Sequence, residues 1–424
     1  MTKHTEKFIK DIAEGFYAEK LIELYGDEAE YEQKRYLIAI REFEKCFGRS
    51  EVRLFSAPGR TELCGNHTDH QSGCVLAAAI DLDVLAVAAQ RKDRKVNIMS
   101  EGYGALEIDL SDTAPDADEK GTTEALVRGV AFALKQRGYS PGGFNAYLTS
   151  RVPSGSGLSS SAAFEVLVGK IFSTLYCDDD LVPFELAKMG QYAENEYFGK
   201  PCGLMDQMAC AMGGVVYIDF SEPIYPKNER IDFSFEKHGY VLYITNAGGS
   251  HADMTREYAA ITEEMHAVAQ YFGREKLSQV NEQVFKDQIP ELRKKVSDRA
   301  ILRAMHYFSE NRRVRQQLSV LKAGNMGEYL KLMRASGQSS MGQLQNLWPE
   351  NKSERSVALA LAVSDAALSG TGASRVHGGG FAGTIQALVP STQNHFYKAE
   401  MERIFGLGAC RAVAVRDAGV YEFK

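Results

Sequence analysis

Residues 153–163 read PSGSGLSSSAA, and this uncharged loop joins a predicted strand, residues 144–149, to a predicted helix, residues 159–176. The start of a helix leaves backbone N–H groups without partners and carries the positive end of the helix dipole, so a loop there can hold an anion. Gly155 and Gly157 allow the positive φ angles and close approach that a phosphate cradle needs. The loop therefore predicts phosphate binding, and its alternative is a structural turn.

Two common nucleotide-binding signatures are absent from the sequence. It contains no G-x-x-x-x-G-K-[ST] P-loop, and neither the H-R-D nor the D-F-G motif of protein kinases. The consecutive serines at residues 159–161 add hydroxyl groups that can contact phosphate oxygens or magnesium. A nucleotide bound on this loop would therefore indicate a different lineage of kinases.

Length and charge bound the class of protein. At 424 residues with 44% hydrophobic and 25% charged residues, the chain exceeds one typical core, so two domains of about 200 residues each are expected. The formal net charge of -7 argues against general nucleic-acid binding, which needs a basic face. The basic run Arg312-Arg313-Val314-Arg315 is interpreted as a solvated helix face.

Cysteine use and hydropathy both indicate a protein of the cytoplasm. The seven cysteines are widely spaced and include no C-x-x-C pair, which is typical of reduced thiols rather than of disulfides or zinc ligands. The N-terminus alternates charged with apolar residues, and no segment approaches about 20 apolar residues, so neither a signal peptide nor a membrane span is expected. We expect small-molecule partners, with no nucleic acid and no membrane.

Predicted strands and helices alternate in both halves of the chain. Helices within residues 6–47 precede strands at 52–57, 75–81 and 84–90, a strand pair within 95–110 and a helix at 123–138. After the loop come a helix at 183–198 and a strand at 214–220. The pattern then restarts, with strands at 241–245, 375–377, 384–389 and 412–415 and helices at 255–272, 298–322, 353–368 and 393–405. We expect an α/β (α+β) fold of two domains, residues 1–220 and 221–424, with the active-site cleft between them.

Three further motifs are rich in charged residues or glycine. Residues 57–71 read APGRTELCGNHTDHQ, residues 202–207 read CGLMDQ, and residues 374–383 read SRVHGGGFAG. With the loop at 153–163 they resemble, in order and spacing, the motifs of the superfamily of galactokinase, homoserine kinase, mevalonate kinase and phosphomevalonate kinase. Within it the chain is most similar to the galactokinase family, whose A-P-G-R-x-x-x-x-G-x-H-x-D, P-C-G-x-M-D-Q and S-R-x-x-G-G-G-F patterns all occur here.

The resemblance implies a two-domain small-molecule kinase fold that uses ATP and Mg2+ to phosphorylate a sugar. It implies that the ATP phosphates contact Ser154, Gly155, Ser156, Gly157, Leu158, Ser159, Ser160 and Ala162. It implies magnesium ligands at Ser161 and Glu194 and catalytic roles for Asp206 and Arg60. The implied sugar contacts are Asn66, His67, Asp69, Gly203 and Tyr258.

The catalytic pair follows from what phosphoryl transfer requires. The reaction needs positioning and charge neutralisation more than covalent help, so an Asp, an Arg and a metal suffice. We expect Asp206 to orient or deprotonate the attacking hydroxyl, and Arg60 to keep Asp206 ionised and offset charge on the transferred group. In isolation Asp206 would be read as a helix cap and Arg60 as a surface charge, and only the surrounding motifs reverse this. Glu196 is the alternative to Glu194.

The chain departs from the galactokinase pattern at positions that bear on the substrate. The family usually has Glu at Asn66, Asn at Glu62 and Tyr at His70. In the family that Glu contacts the sixth carbon of the sugar, so an amide there would weaken a neutral contact by about 1 kcal/mol. The amide would also remove a repulsion of up to ~4 kcal/mol toward a sugar carboxylate. We expect galactose or a close relative as the substrate, with galacturonate as the principal alternative.

Two other functions are disfavoured by particular residues. A sugar-sensing homologue without catalysis would lack the Ser161-Ala162 pair, and a mevalonate or homoserine kinase would lack the sugar-motif matches such as Asp69. The family segment S-L-R-D-x-Y-E-V-S is replaced by SSMGQLQ at residues 339–345, and the Arg before the family's His is Ser250. These changes weaken the case for galactose and leave the phosphate loop unaffected. The sequence leaves the oligomeric state open.

Overall fold

The computed structural model describes residues 3–153, 155, 157–200, 202–222, 224–248, 254–349, 353–381 and 383–424. The strands are β1 (Lys3–His4), β2 (Glu51–Cys64), β3 (Cys74–Gln90), β4 (Lys95–Ser100), β5 (Gly104–Asp109), β6 (Phe144–Ser150), β7 (Val215–Asp219), β8 (Lys227–Ile231), β9 (Tyr240–Asn246), β10 (Ala373–Val376), β11 (Thr384–Pro390), β12 (Cys410–Val413) and β13 (Tyr421–Phe423). The helices are α1 (Thr5–Ala13), α2 (Ala18–Tyr25), α3 (Ala29–Phe47), α4 (Thr123–Gln136), α5 (Ser160–Tyr176), α6 (Pro183–Tyr192), α7 (Met205–Met212), α8 (Thr255–Tyr271), α9 (Glu282–Asp287), α10 (Ile289–Leu292), α11 (Asp298–Lys322), α12 (Met326–Ser339), α13 (Ser356–Leu368) and α14 (Asn394–Phe405).

The larger sheet is built around the long strand β3. Strand β2 pairs antiparallel along one edge of β3, while β6 and β7 pair with the two halves of its other edge. Strands β4 and β5 extend the sheet beyond β6, β8 extends it beyond β7, and β1 and β13 pair with β2. The near-continuous apolar run of β3 fits a strand that is covered on both faces.

Strand β3 was expected as two strands, at 75–81 and 84–90, and this expectation is wrong. The two aspartates that suggested a break are accommodated inside one strand. Asp81 Oδ1 accepts a hydrogen bond from the Ala414 N–H at 3.0 Å. Asp83 is fully buried and pairs with Arg35 and Arg416. A buried carboxylate with such partners does not terminate a strand.

Strand β2 also runs further than residues 52–57, where it was expected to end. It continues through Pro58 and Gly59 to Cys64, with register shifts against β3 between Pro58 and Arg60 and between Glu62 and Cys64. Such irregularities let a strand keep pairing across residues that break the regular ladder. Arg60 and Glu62 therefore project from a sheet strand rather than from a loop.

The smaller sheet has the order β10-β11-β9-β12, with every pairing antiparallel. Helices α13 and α14 pack on this sheet through a core that includes Val357, Ile385 and Met401. Four helices and three strands of the described residues were missed from sequence. They are α7, α9, α10, α12, β1, β8 and β13.

The N-terminal helices α1 to α3 cover one face of the larger sheet, and their core includes Phe8, Tyr36 and Phe423. The division predicted at residue 220 falls between β7 and β8, which are paired in that sheet. Strand β13 returns from the end of the chain to the same sheet. In the part of the chain that the structure describes, no helix is long and apolar enough to cross a membrane.

Candidate active site

Arg60 and Asp206 form a two-pronged ion pair. Arg60 projects from β2, and Asp206 lies in the first turn of α7. Arg60 Nε lies 2.7 Å from Asp206 Oδ1, and Nη2 lies 2.8 Å from Oδ2. Burial acts to raise the pKa of Asp206, but the Arg60 charge and hydrogen bonds from Arg60 and Ser159 outweigh it and lower that pKa. Asp206 is therefore ionised at neutral pH and retains 33% side-chain exposure toward the site.

The same arginine fixes the loop that precedes α5. The Arg60 backbone N–H donates to the Leu158 carbonyl at 3.0 Å, and its guanidinium donates to the Gly157 carbonyl. Gly59 packs so closely that a Cβ on it would lie 2.7 Å from the Leu158 oxygen. These contacts hold the predicted phosphate loop directly beside Asp206.

The N-terminus of α5 is left open for an anion. Ser159 adopts a positive φ of 59°, and its hydroxyl donates to Asp206 instead of capping the helix. Among the described residues, no side chain caps α5, whose first turn contains Ser160, Ser161 and Ala162. Backbone N–H groups at such a helix start bind phosphate readily. Of the predicted loop residues, Ser154 and Ser156 lie outside the described residues.

Gly157 brings this loop against the smaller sheet. A Cβ on Gly157 would lie 3.3 Å from Thr384 Oγ1 and 3.4 Å from His377 Nδ1. His377 in turn lies 3.0 Å from Thr61 Oγ1 of β2. The loop, β2 and the end of β10 therefore meet at one point between the two sheets.

Glu194 lies in a buried group of polar side chains next to α5. Its Oε1 accepts from Lys200 Nζ at 3.0 Å and its Oε2 from Gln207 Nε2 at 3.0 Å. The same Gln207 amide donates to Glu165, one helical turn after Ser161 on α5. Burial, with the Glu194 charge, raises the pKa of Glu165 well above its usual value.

This group of residues fits a magnesium ion. Magnesium favours one or two carboxylates together with phosphate and water oxygens. Glu194 supplies a carboxylate, and the Ser161 hydroxyl supplies a further oxygen ligand. Glu165 Oε1 and Gln207 Oε1 are buried, and no described residue supplies them with a hydrogen-bond partner. Within the described ranges, no cluster of three or more His, Cys, Asp or Glu could hold a metal alone. The alternative carboxylate, Glu196, is exposed.

A second part of the site is the loop of residues 64–74, hereafter the 64–74 loop. Asp69 Oδ1 accepts from the His70 N–H at 2.9 Å, and a Cβ on Gly203 would lie 2.0 Å from Asp69 Oδ2. Gly203 must therefore be glycine for the segment before α7 to approach Asp69. Burial has the largest effect on the pKa of Asp69 and raises it. His67 acts in the opposite direction and the Asp206 charge in the same direction, and the net pKa is raised.

Three predicted sugar contacts share one partner, the turn of Gly378, Gly379 and Gly380, hereafter the glycine turn. Asn66 Nδ2 donates to the Gly378 carbonyl, and Tyr258 Oη donates to the Gly380 carbonyl at 3.0 Å. His67 Nε2 lies 3.0 Å from the Gly379 carbonyl, and its ring stacks on Tyr258 at 6.2 Å between centroids. The structure thus brings Asn66, His67 and Tyr258 together around the glycine turn, which lies between β10 and β11 of the smaller sheet.

Asn66 is surrounded by protein groups. Its side chain is fully buried, and Nδ2 lies 3.2 and 3.3 Å from the two Glu62 oxygens besides contacting Gly378. Its Oδ1 accepts from Asn346 Nδ2 at 2.6 Å. Arg375 Nη2 donates to Glu62 Oε1 at 2.7 Å. Two departures from the family pattern, Glu62 and Asn66, are therefore partners of one another.

Several residues of this site were missed from sequence. Glu165 and Gln207 lie in segments that were interpreted only as helix or motif, and Asn346 directly follows the departure at residues 339–345. His306, Glu310 and Asn311 on α11 bind the 64–74 loop. The signal that could have identified these residues is that they are polar positions on a helix in which neighbouring residues, such as Ala304 and Val314, are buried. Ser250, singled out above as a departure, lies outside the described residues.

Two family models match the chain. One, described as the GHMP kinases N terminal domain, matches residues 125–214. The other, described as the galactokinase galactose-binding signature, matches residues 41–90. Together these matches contain the phosphate loop, the Asp206 segment and the 64–74 loop.

Known proteins resemble the chain over most of its length. The galactokinase of Actinobacillus pleuropneumoniae serotype 5b is 32% identical over 83% of this chain and 89% of its own length. That of Clostridium tetani is 29% identical over 85% and 90%. A crystal structure of Lactococcus lactis galactokinase complexed with galactose matches with a TM-score of 0.79 at 25% identity, over 90% of this chain and 98% of that one. A mevalonate kinase structure, at 16% identity and a TM-score of 0.59, shares the fold. The expected fold class is confirmed.

Proposed function

The chain belongs to the galactokinase family, and from that membership we propose that it transfers the γ-phosphate of ATP to the anomeric hydroxyl of galactose. The observation that carries the proposal is the Arg60–Asp206 pair, which lies beside an uncapped helix start on one side and the 64–74 loop on the other. This arrangement supports the proposal because it would put an ionised carboxylate between the proposed phosphate site and the proposed sugar site.

Asp206 acts on the attacking hydroxyl. Its carboxylate is ionised and partly exposed, so it can accept a hydrogen bond from a sugar hydroxyl and take its proton. Arg60 holds both carboxylate oxygens, which fixes the orientation of Asp206 and leaves the guanidinium charge beside the transferred group. Rate enhancement then comes from alignment and charge neutralisation, as phosphoryl transfer requires.

The residues proposed to hold ATP and Mg2+ line the N-terminus of α5. The phosphates would contact residues 154–160 and Ala162, and the metal would be held by Ser161 and Glu194. When bound, Mg2+ neutralises charge on the phosphate oxygens. Gln207 orients Glu194 through a 3.0 Å hydrogen bond, and Lys200 offsets the negative charge of that carboxylate before any cation binds.

The sugar is proposed to bind between the 64–74 loop, Gly203 and Tyr258. Asp69 offers two acceptor oxygens to a pair of hydroxyl groups. The stacked rings of His67 and Tyr258 form one wall of the proposed site, with apolar faces and polar edges. Asn66 is included as a substrate contact on the resemblance alone. Its observed side-chain contacts are to Glu62, Gly378 and Asn346.

Galactose is favoured over galacturonate by the surroundings of Asn66. Both hydrogens of its amide are directed to Glu62 and Gly378, so no donor is left for a sugar carboxylate. The Glu62 carboxylate lies beside that amide and would repel a second carboxylate, although Arg375 offsets part of its charge. The exchange of Glu and Asn relative to the family thus leaves one carboxylate and one amide in contact with each other.

The remaining proposals concern the protein as a whole. The two domains are proposed to be residues 1–220 and 221–424, with the catalytic cleft between them. All seven cysteines are free, which supports a reducing compartment such as the cytoplasm. The oligomeric state is left open.

Steady-state kinetics with ATP and Mg2+ on galactose and on galacturonate test this function. We expect ADP release with galactose at a kcat/KM about tenfold or more above that for galacturonate, equivalent to about 1.4 kcal/mol. Preference for galacturonate would refute the substrate, and sugar binding without any ADP release would favour a sensor instead of an enzyme.

A further inference from the structure

We propose that helix α11 positions the 64–74 loop for sugar binding, and that His306, Glu310 and Asn311 are its positioning residues. The inference rests on the proposed function for what the loop binds. His306 and Glu310 lie at i and i+4 on one face of α11, and Asn311 directly follows Glu310. Each binds a backbone group of the loop.

Glu310 anchors the beginning of the loop. It is fully buried, and its Oε1 accepts from the Gly65 N–H at 3.2 Å and from the Cys64 thiol at 3.1 Å. Its Oε2 accepts from Arg313 Nε at 2.8 Å. A buried carboxylate with this many donors holds its position firmly, because rotation would leave a charge without partners.

His306 anchors the next residue of the loop. Its Nε2 lies 2.9 Å from the Asn66 carbonyl oxygen, and its Nδ1 lies 2.9 Å from Ser339 Oγ. Because a carbonyl oxygen can only accept, Nε2 must carry the proton of the neutral ring. Burial lowers the pKa of His306 to about 4, which is consistent with this neutral tautomer.

Asn311 anchors the other end of the loop. Its Oδ1 accepts from the Cys74 N–H at 2.7 Å, where β3 begins. Gly73 leaves room for this contact, since a Cβ on it would lie 2.6 Å from Asn311 Oδ1. The loop is thus held at residues 65–66 and again at residue 74, and His67 and Asp69 lie between these two anchors.

The same helix is tied to the opposite wall of the site. Arg303 Nη1 lies 3.0 Å from Glu264 Oε2 on α8, the helix that carries Tyr258. Arg303 Nε donates to the Leu344 carbonyl at 3.1 Å, two residues before Asn346. Helix α11 therefore sets the separation between the 64–74 loop and Tyr258, and this separation determines whether both can contact one sugar.

Two variants test the proposal, one at each end of the loop. His306→Ala removes the donor to Asn66, and Asn311→Ala removes the acceptor for Cys74. We expect each to raise the KM for galactose about tenfold, the effect of leaving one buried backbone group unpaired, while the KM for ATP stays within about twofold. His306→Gln keeps an N–H donor and should restore most of the affinity for galactose.

Tyr397→Phe is the matched control. It removes the buried hydrogen bond between Tyr397 Oη and Ser364 Oγ, 2.8 Å long, in the core between α13 and α14. We expect a comparable fall in Tm for the control without a change in the KM for galactose. If the two α11 variants lower Tm but leave that KM unchanged, α11 is only a scaffold and the proposal is wrong.

Hydrogen exchange separates this proposal from the function it rests on. In the full chain, the Cys74 amide should exchange about tenfold or more faster in Asn311→Ala than in the wild type, whether or not any sugar is phosphorylated. Unchanged exchange would contradict the anchoring directly. A wild type that phosphorylates no galactose would instead refute the proposed function.

Discussion

Asp69 and Asp206 are carboxylates of one site whose pKa values are shifted in opposite directions. Burial raises the pKa of Asp69, and the opposing effects of His67 and the His70 N–H do not outweigh it. Asp206 is partly exposed; burial acts to raise its pKa, but Arg60 and Ser159 stabilise its ionised form and lower that pKa. On acidification Asp69 is therefore protonated first and Asp206 last.

This order predicts how activity depends on pH. Between about pH 8 and pH 4 the KM for galactose should rise as Asp69 loses its charge, while kcat is retained because Asp206 stays ionised. Kinetics at saturating ATP, with circular dichroism to verify folding at each pH, would measure both parameters. If kcat fell on acidification at a higher pH than the pH at which the KM rises, the assigned roles would be contradicted.

At the residue scale, motif matches identified most of the site but not its hydrogen bonding. Arg60 and Asp206 were predicted as a pair, and the structure brings them into contact. Besides nearby Glu62, the side-chain partners of Asn66 are 312 and 280 residues away in the chain, at Gly378 and Asn346, so a local pattern does not reveal that its amide is fully occupied. Arg313 was interpreted as solvated, yet it pairs with Glu310 at 12% side-chain exposure.

At the scale of elements, the glycine turn offers a direct test. Gly380 has a φ of +82°, and a Cβ on it would lie 2.1 Å from the Asn346 backbone oxygen. Gly380→Ala should displace the turn and so disturb Asn66, His67 and Tyr258 together, raising the KM for galactose by about tenfold or more. Kinetics on the purified variant would measure this.

Gly406→Ala is the control for backbone strain. Gly406 also has a positive φ, +98°, but nothing lies within 4 Å of a Cβ there, and it ends α14. It should lose about 1 kcal/mol of stability and keep its kinetics. Equal kinetics in both variants would mean that the turn has no part in the site.

Elements with local end signals were predicted well, and those stabilised by distant contacts were not. Helix α11 begins and ends at the predicted residues because Ser297 caps it, accepting from the Ala300 N–H at 3.1 Å. Strand β3 was split in the prediction because the partners of Asp83 lie in α3 and near the C-terminus. A polar residue inside a strand can be read correctly only when its partner is known.

At the scale of the whole molecule, a buried polar network joins the two ends of the chain. Asp83 accepts from Tyr25 Oη at 2.6 Å, pairs with Arg35 of α3, and lies 3.3 Å from Arg416 Nη1. Ser56 of β2 donates to the same carboxylate. The Asp83 carboxylate therefore links the N-terminal helices, the larger sheet and the segment before β13.

Removing that charge should destabilise the protein. Asp83→Asn removes the carboxylate that two buried arginines share, and among the described residues only Arg35 keeps another, Glu32. Breaking a buried pair in this way typically costs about 3–5 kcal/mol, measured by urea unfolding. Burial acts to raise the pKa of Asp83, but Arg35 and Arg416 lower it, so its contribution is complete above the ordinary value of 3.8 and is lost as the pH falls through the lower folded value. The wild type's advantage should therefore persist at neutral pH and shrink below about pH 4.

Asp93→Asn is the comparison on the surface. It breaks the Arg91–Asp93 pair, where the Asp93 side chain is 48% exposed, and should leave the urea midpoint nearly unchanged. If Asp83→Asn unfolds at the same urea concentration as Asp93→Asn, the network does not stabilise the fold.

The most direct test of the central claim is phosphorus NMR of the products formed from ATP, Mg2+ and galactose by the wild type and by Asp206→Asn. The asparagine keeps the shape of the side chain but cannot take a proton, and loss of such a group typically lowers the rate by about 10²–10⁴-fold. The account predicts a galactose phosphate with phosphorus on the anomeric oxygen from the wild type and a rate reduced to that extent in the variant. Phosphate on another hydroxyl, or an unchanged rate in Asp206→Asn, would contradict it.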